Sequence, residues 1–244
     1  MSKYIHIREI DSTSTYLKCN YKDYDNFTFL SCDYQSDGHG RNNKKWFSNK
    51  KENLLFSILI KDEKVINNYA SLSLVSAKAI IDILVEIGIN NISYKWPNDV
   101  YVNDKKISGV LLEGVSFNGI IEAIIIGVGI NVNSSEMDIE IKDKATSIYL
   151  ESNKLFDIEI LKNKFYKSFE SNIENINDKK YLSYLRNNNY LLNRKVYVLK
   201  DGKKVVAKVI DINDDNSLKV NTEGEILDVY SGEVTIINDW KIRD

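Results

Sequence analysis

A chain of 244 residues, 43% apolar and 28% charged, has the make-up of a folded protein with room for one sizeable domain and a smaller companion. Its 33 basic and 35 acidic residues leave a net charge of -2, which argues against a globally basic nucleic-acid binder and makes any cationic function local. No apolar run nears the roughly 20 residues of a membrane span, and the N-terminus lacks the continuous apolar core of a signal peptide.

Cys19 and Cys32 are too few for a disulfide framework or a zinc site. Both read as packing residues with reduced thiols, the pattern of a cytoplasmic protein. Tyr4–Ile7 reads as a short strand. Asp11-Ser12-Thr13-Ser14 offers helix-capping side chains, with a helix over Thr15–Tyr21 behind them. Phe27–Tyr34 has the content of a strand, and Asn53–Lys61 is apolar enough to be a buried one. From Val65 to Ile87 apolar residues recur at helical spacing until Gly88 ends the run. Ile92–Trp96 and Val100–Asn103 read as strands broken at Pro97, the single proline. Lys106–Phe117 and Ile120–Asn131 form a hairpin about Asn118-Gly119. Phe165, Phe169 and Ile173 stripe a helix over Leu161–Ile176, and Tyr181–Asn187 is a shorter one.

After Arg194 come five short strand signals, Val196–Leu199, Val205–Ile212, Leu218–Asn221, Ile226–Tyr230 and Val234–Ile237. Polar and glycine turns separate them in the rhythm of a small barrel. Helices and strands mix in α+β order before Asn193, so the chain divides into 1–192 and 193–244. The N-terminus leaves no room for a separate DNA-binding domain before the first strand.

Four stretches carry chemistry. Ser36 to Ser48 reads S-D-G-H-G-R-N-N-K-K-W-F-S, where Gly38 and Gly40 let the backbone approach a ligand and Arg41 can fork onto a carboxylate or phosphate. Such a loop is either a solvated basic turn or a cover for an anion. In Lys95-Trp96-Pro97-Asn98-Asp99, a turn explains the proline and Asn98 but not why Lys95 and Asp99 flank it. Lys106-Ile107-Ser108-Gly109 opens an apolar strand with a lysine. Gly127-Val128-Gly129-Ile130-Asn131 puts glycines inside a strand, which marks a packing bulge or the close approach of a ligand.

In this order, G-H-G-R-x-x-K-K-W-F-S, K-W-P-N-D, K-I-S-G-V-L-L-E and G-V-G-I-N-V-N resemble the biotin protein ligases, the biotin–[acetyl-CoA-carboxylase] ligase family. The resemblance runs from Ile10 to the C-terminal barrel and matches the short form without a DNA-binding domain. It implies a class II synthetase-like α+β catalytic domain, a mixed sheet with helices on one face, followed by a small all-β SH3-like barrel. The implied substrates are biotin and ATP with Mg²⁺ on the nucleotide. The product is biotinyl-5′-AMP, and the acceptor is a lysine of a biotin carboxyl carrier protein domain. No DNA or membrane partner is implied, and monomer and homodimer stay open.

Carried over residue by residue, Ser12, Thr13, Ser14 and Gln35 match the stretch that lines the biotin site. His39, Gly40 and Arg41 match the ligand-binding loop, with Arg41 on the acyl-phosphate. Lys106 matches the lysine that binds the biotin carboxylate and then the bridging phosphate, Trp46 the adenine-side aromatic, and Asn131 the approach to the nucleotide. Asp99 is the candidate to orient the acceptor lysine and take its proton. A resident metal site is not implied. The loop departs from the common G-R-G-R-x-x-R, since His39 and Lys44 each replace an arginine. Histidine is largely neutral at pH 7 and lysine cannot fork, so the adenylate is expected to be held less tightly. The nearest alternatives are a lipoate or octanoate ligase, a repressor that uses the adenylate as corepressor, and a non-catalytic biotin sensor.

Overall fold

The computed structural model describes residues 3–200, 202–230 and 234–237. The chain threads β1 (Tyr4–Ile10), α1 (Thr13–Cys19), β2 (Thr28–Gln35), β3 (Asn53–Ile60), α2 (Glu63–Ile66) and α3 (Tyr69–Glu86). Then come β4 (Ile92–Lys95), β5 (Asp99–Val102), β6 (Lys105–Phe117) and β7 (Ile120–Asn131). Three helices follow, α4 (Ile148–Ser152), α5 (Ile158–Glu174) and α6 (Lys180–Asn187). The chain closes with β8 (Lys195–Lys200), β9 (Lys203–Ile212), β10 (Leu218–Thr222), β11 (Glu225–Val229) and β12 (Thr235–Ile236).

A seven-stranded sheet runs in the order β1-β2-β3-β7-β6-β5-β4. Only the β1–β2 pair in it is parallel, so the sheet is mixed. Its centre is the β6–β7 hairpin, closed by Asn118 and Gly119 at φ of 50° and 79°. Both values are what a two-residue turn of the twist-matching kind needs. Glu223 and Gly224 close β10 and β11 in the same way, with φ of 52° and 92°. These strands belong to the second sheet, ordered β11-β10-β9-β8-β12. The turn expected at Asp201-Gly202 and the one at Ser231-Gly232 lie partly or wholly outside the described residues.

Alternation along the strands sorts the large sheet into two faces. Phe29, Phe56, Ile58, Ile126 and Ile130 point to one face, where α3 and α5 cover them. Phe56 meets Phe165 at 4.7 Å between ring centroids, so the stripe read at Phe165, Phe169 and Ile173 is the face of α5 that packs inward. Helix α3 is buried almost all round because the sheet lies on one side of it and α5 and α6 on the other. Leu30, Leu59, Ala123 and Ile125 point to the opposite face and form a small cluster with Leu17 of the short α1, flanked by Tyr21 and Tyr24. The long helices thus take one face and leave most of the other to loops.

Three local readings shift. The helix expected from Val65 is two: Asp62 caps the short α2, and Asn67-Asn68 interrupts before α3 begins at Tyr69. The Asn68 side chain bonds back to the Lys64 carbonyl at 3.0 Å, a local bond that competes with helix continuation. Helix α1 begins two residues earlier than read, because the cap is Ser12, whose hydroxyl accepts from the Thr15 amide at 3.3 Å. Cys19 is not a packing residue. It ends α1 on the exposed side, whereas Cys32 is buried in β2. The division at 192/193 falls between α6 and β8, yet Val196, Val209 and Val220 join the same buried cluster as Leu185 and Leu191.

Burial pushes the Cys32 thiol up to about 12. The thiolate is the reactive form, so Cys32 stays inert near neutrality. An aromatic disulfide reagent at pH 8 should therefore titrate one thiol in the native protein and both in denaturant. Two fast thiols in the native state would contradict the packing of β2.

Candidate active site

On the sheet face that the long helices leave free lies a cavity of about 630 Å³. Its floor is built from hydroxyls and glycines. Ser57 of β3 stands opposite Gly127 of β7. Its hydroxyl is 2.8 Å from Thr13 Oγ1 and 2.9 Å from Ser14 Oγ, at the start of α1. Gln35, at the end of β2, presents Oε1 to the Thr13 amide at 2.8 Å and to the Thr13 hydroxyl at 3.0 Å. A β-carbon on Gly127 would stand 2.5 Å from Ser14 Oγ, so the glycine is what lets α1 sit this close to the sheet.

Two residues along β7, roughly 7 Å away, Gly129 lies under the Trp46 indole. A β-carbon there would come within 2.5 Å of the ring. Gly109 of β6 is the neighbouring gap: its β-carbon would stand 3.2 Å from the same ring and 3.0 Å from Lys106 Nζ. The floor therefore runs in order from hydroxyls to indole to ammonium. Trp46 Nε1 is buried and has no hydrogen-bond acceptor among the described residues. An orphaned buried donor is uncommon and tends to mark a functional place.

Lys106 Nζ lies 2.8 Å from Asp99 Oδ1, with the lysine side chain 32% and the carboxylate 17% exposed. Its ammonium also sits 5.5 Å from the Trp46 ring centroid. The backbone of Lys106 is clamped from the far side: its amide donates to the Lys144 carbonyl at 2.8 Å, and its carbonyl accepts from the Thr146 amide at 2.9 Å. Asp99 opens β5 directly after the cis Trp96–Pro97 turn. Burial raises the Tyr101 phenol above its ordinary range, and the Asp99 charge adds to it. Tyr101 therefore stays protonated, and its hydroxyl accepts from Lys95 Nζ at 3.4 Å.

The loop after β2 is folded, not extended. The Gly40 amide donates to the Lys44 carbonyl at 2.7 Å and the Trp46 amide to the Gly38 carbonyl at 2.8 Å, with Arg41 in the turn between them. His39 Nε2 faces Glu113 of β6 at 3.7 Å, and Lys18 of α1 reaches the same carboxylate at 3.0 Å. Six cations line the cavity, Arg41, Lys44, Lys45, Lys95, Lys106 and Lys144, against the three carboxylates Asp99, Asp104 and Asp143. In a chain of net charge -2 that local excess marks a site for a polyanion.

Ten of the eleven site residues read from the sequence line this cavity: Ser12, Thr13, Ser14, Gln35, His39, Gly40, Arg41, Trp46, Asp99 and Lys106. Asn131 does not. It is buried beneath the site, where its carbonyl accepts from Asn53 at 3.0 Å and its amide donates to the Thr146 carbonyl at 2.9 Å. It ties β7 to β3 and to the segment that clamps Lys106. Sequence reasoning missed Ser57, whose signal was a lone hydroxyl inside the apolar run N-L-L-F-S-I-L-I. It also missed Lys144, Tyr190 and the 234–236 segment, which reach the cavity from far along the chain.

Gly129→Ala should drive the Trp46 indole off the floor. Tryptophan emission is expected to move to the red and to become more accessible to a neutral quencher. An unchanged spectrum would contradict the contact.

A sequence profile of the biotin/lipoate A/B protein ligase family matches residues 6–131. The chain is 26% identical over 230 residues to the bifunctional ligase/repressor BirA of Escherichia coli, covering 93% of this chain and 72% of that one. It is 24% identical over 212 residues to the biotin–[acetyl-CoA-carboxylase] ligase of Mycobacterium tuberculosis, covering 84% and 77% of the two chains. The fold superposes on the biotin protein ligase of Aquifex aeolicus in complex with biotin and ATP with a TM-score of 0.85. That match has 32% identity and covers 98% of this chain and all of the other. The chain belongs to the biotin/lipoate A/B protein ligase family.

Proposed function

We propose that this protein is a biotin–[acetyl-CoA-carboxylase] ligase. Biotin attacks ATP through its carboxylate to give biotinyl-5′-adenylate and pyrophosphate. A lysine amine of a biotin carboxyl carrier domain then attacks the mixed anhydride, an amide forms, and AMP leaves. The observation that carries this reading is the order along the cavity floor: hydroxyls and a glutamine, then an indole, then Lys106 beside the basic loop. A molecule with a hydrogen-bonding ring at one end and a carboxylate at the other matches that order. Ser12, Thr13, Ser14 and Gln35 meet the ureido ring, and Lys106 meets the carboxylate.

Bringing that carboxylate to a triphosphate sets like charges together, and their repulsion is strong where water is excluded. Lys106 and Arg41 offset it, and Lys106 stays in place to meet the charge that builds on the phosphate as the anhydride forms. Trp46 moves off the glycines and stacks on the adenine side, giving its buried N–H a partner. The folded loop of Gly38 to Trp46 keeps water from the adenylate until the acceptor arrives. Asp99 receives the acceptor lysine, whose ammonium has an ordinary pKa of ~10.4 and must lose a proton to attack.

Among the described residues no three His, Cys, Asp or Glu side chains converge as a metal cage. Magnesium enters this reading as a companion of the ATP phosphates and their water, which is how that ion usually binds nucleotides. The free thiols of Cys19 and Cys32 accord with a cytoplasmic setting. A linear lipoyl or octanoyl tail would leave the hydroxyls of Thr13 and Ser14 facing apolar atoms, which favours biotin.

ATP–pyrophosphate exchange with biotin, lipoate and octanoate offered separately tests the assignment. Exchange is expected with biotin alone. Exchange driven by lipoate or octanoate would move the substrate to the other branch of the family, and biotin binding without exchange would make the protein a sensor.

A further inference from the structure

The C-terminal sheet bonds the Trp96–Asp99 turn through one backbone carbonyl, that of Asn216. Asn216 sits in the turn between β9 and β10, 7% exposed, with φ of 69°. That left-handed backbone is one that Asn tolerates better than most residues. Its carbonyl accepts from Trp96 Nε1 at 2.9 Å. Its side-chain Oδ1 accepts from the Tyr181 hydroxyl of α6 at 3.2 Å, and its Nδ2 donates to Ser71 Oγ of α3 at 3.0 Å. The side chain thus fixes the turn to two helices, and the turn presents its carbonyl to the tryptophan that precedes Pro97.

Every residue from Trp96 to Asp99 is held. The Pro97 carbonyl accepts from the Tyr94 hydroxyl at 2.5 Å and from Ser73 Oγ at 2.8 Å. Asn98 exchanges bonds with Val110 of β6, its Nδ2 donating at 2.7 Å and its carbonyl accepting at 2.9 Å. Among the described residues, Asn216 is the anchor of this turn that comes from the C-terminal sheet. Lys106, which faces Asp99, takes its backbone position instead from the 144–146 segment.

We propose that Asn216, acting through Trp96, is a positioning residue for Asp99, so that the C-terminal sheet governs transfer to the acceptor lysine and not adenylate formation. The inference rests on the reading of Asp99 as the group that receives that lysine. A shift of about an ångström in a proton-accepting carboxylate is enough to slow an oriented attack. The adenylate-forming step runs on Lys106 and Arg41; the Lys106 backbone is held by the 144–146 segment, and a displaced Asp99 frees its ammonium for the ligand without removing it from that step.

Two variants test it. Asn216→Gly keeps the left-handed backbone and removes both side-chain bonds, and Trp96→Phe removes the donor while keeping a ring in place. Transfer is measured in a single turnover, from preformed biotinyl-adenylate to the biotinyl domain of an acetyl-CoA carboxylase, well below each variant's melting midpoint. Both variants are expected to transfer on the order of tenfold more slowly, while exchange in Asn216→Gly stays within about twofold of the parent. In an Asp99→Asn background neither should slow transfer further, since the link acts through the lost carboxylate. Equal slowing of both half-reactions, or full slowing on top of Asp99→Asn, overturns the inference. Parental transfer in both variants overturns it too. Parental transfer in Asp99→Asn alone shows instead that the role given to Asp99 fails.

Discussion

The contact between Lys106 and Asp99 governs what this site can do. At 2.8 Å the two charges pair, yet the lysine is about a third exposed and buried Asp99 Oδ1 has no well-formed hydrogen bond among the described residues. Ion pairs with that access to water contribute no more than ~1 kcal/mol. Such a pair holds two functional groups ready without locking them. An incoming carboxylate that also gains the hydroxyl floor and the cationic loop can take the lysine from Asp99. The exchange leaves Asp99 uncommitted at the moment when an ammonium must be received, so one weak bond links the chemistry of the two steps.

The fold serves this pair by keeping one sheet face clear. Alternation along β3 and β7 sends phenylalanines and isoleucines toward α3 and α5 and leaves Ser57, Gly127 and Gly129 on the other side. Glycines there cost some strand stability but remove the β-carbons that would strike Ser14 and Trp46. Helix α1 is short, and its capping segment doubles as one wall of the site, so helix initiation and ligand contact use the same three residues, Ser12, Thr13 and Ser14. The C-terminal sheet shares the main buried cluster, and it bonds Trp96 through the Asn216 carbonyl.

Much of this was legible in the sequence where local physics decides. Asn118-Gly119 specifies a hairpin turn whatever surrounds it, and the stripe at Phe165, Phe169 and Ile173 specifies a helix face. The site residues were legible through wording shared with a family, not through periodicity: Gly-His-Gly-Arg by itself stays ambiguous between a surface turn and an anion cover. What stayed hidden depends on tertiary partners. Asn131 matches the family's approach to the nucleotide, while its side-chain bonds go to Asn53 and Thr146. Ser57 is a lone hydroxyl in an apolar run and lies fully buried beneath the floor, bonded to Thr13 and Ser14. Asn216 reads as a turn residue in a barrel, and nothing local signals a partner 120 positions away. The helix expected from Val65 failed for the opposite reason. The local bonding of Asn67-Asn68 outweighed a continuous apolar period.

The exchange of partners at Lys106 is tested most directly by titrating biotin, without ATP, into the parent protein and into Asp99→Asn in a calorimeter. Removing the competing carboxylate should make biotin bind more tightly, with an advantage that shrinks as salt is added. Equal or weaker binding to Asp99→Asn would mean that Lys106 does not leave Asp99 for the ligand, and the linkage between the two steps would be wrong.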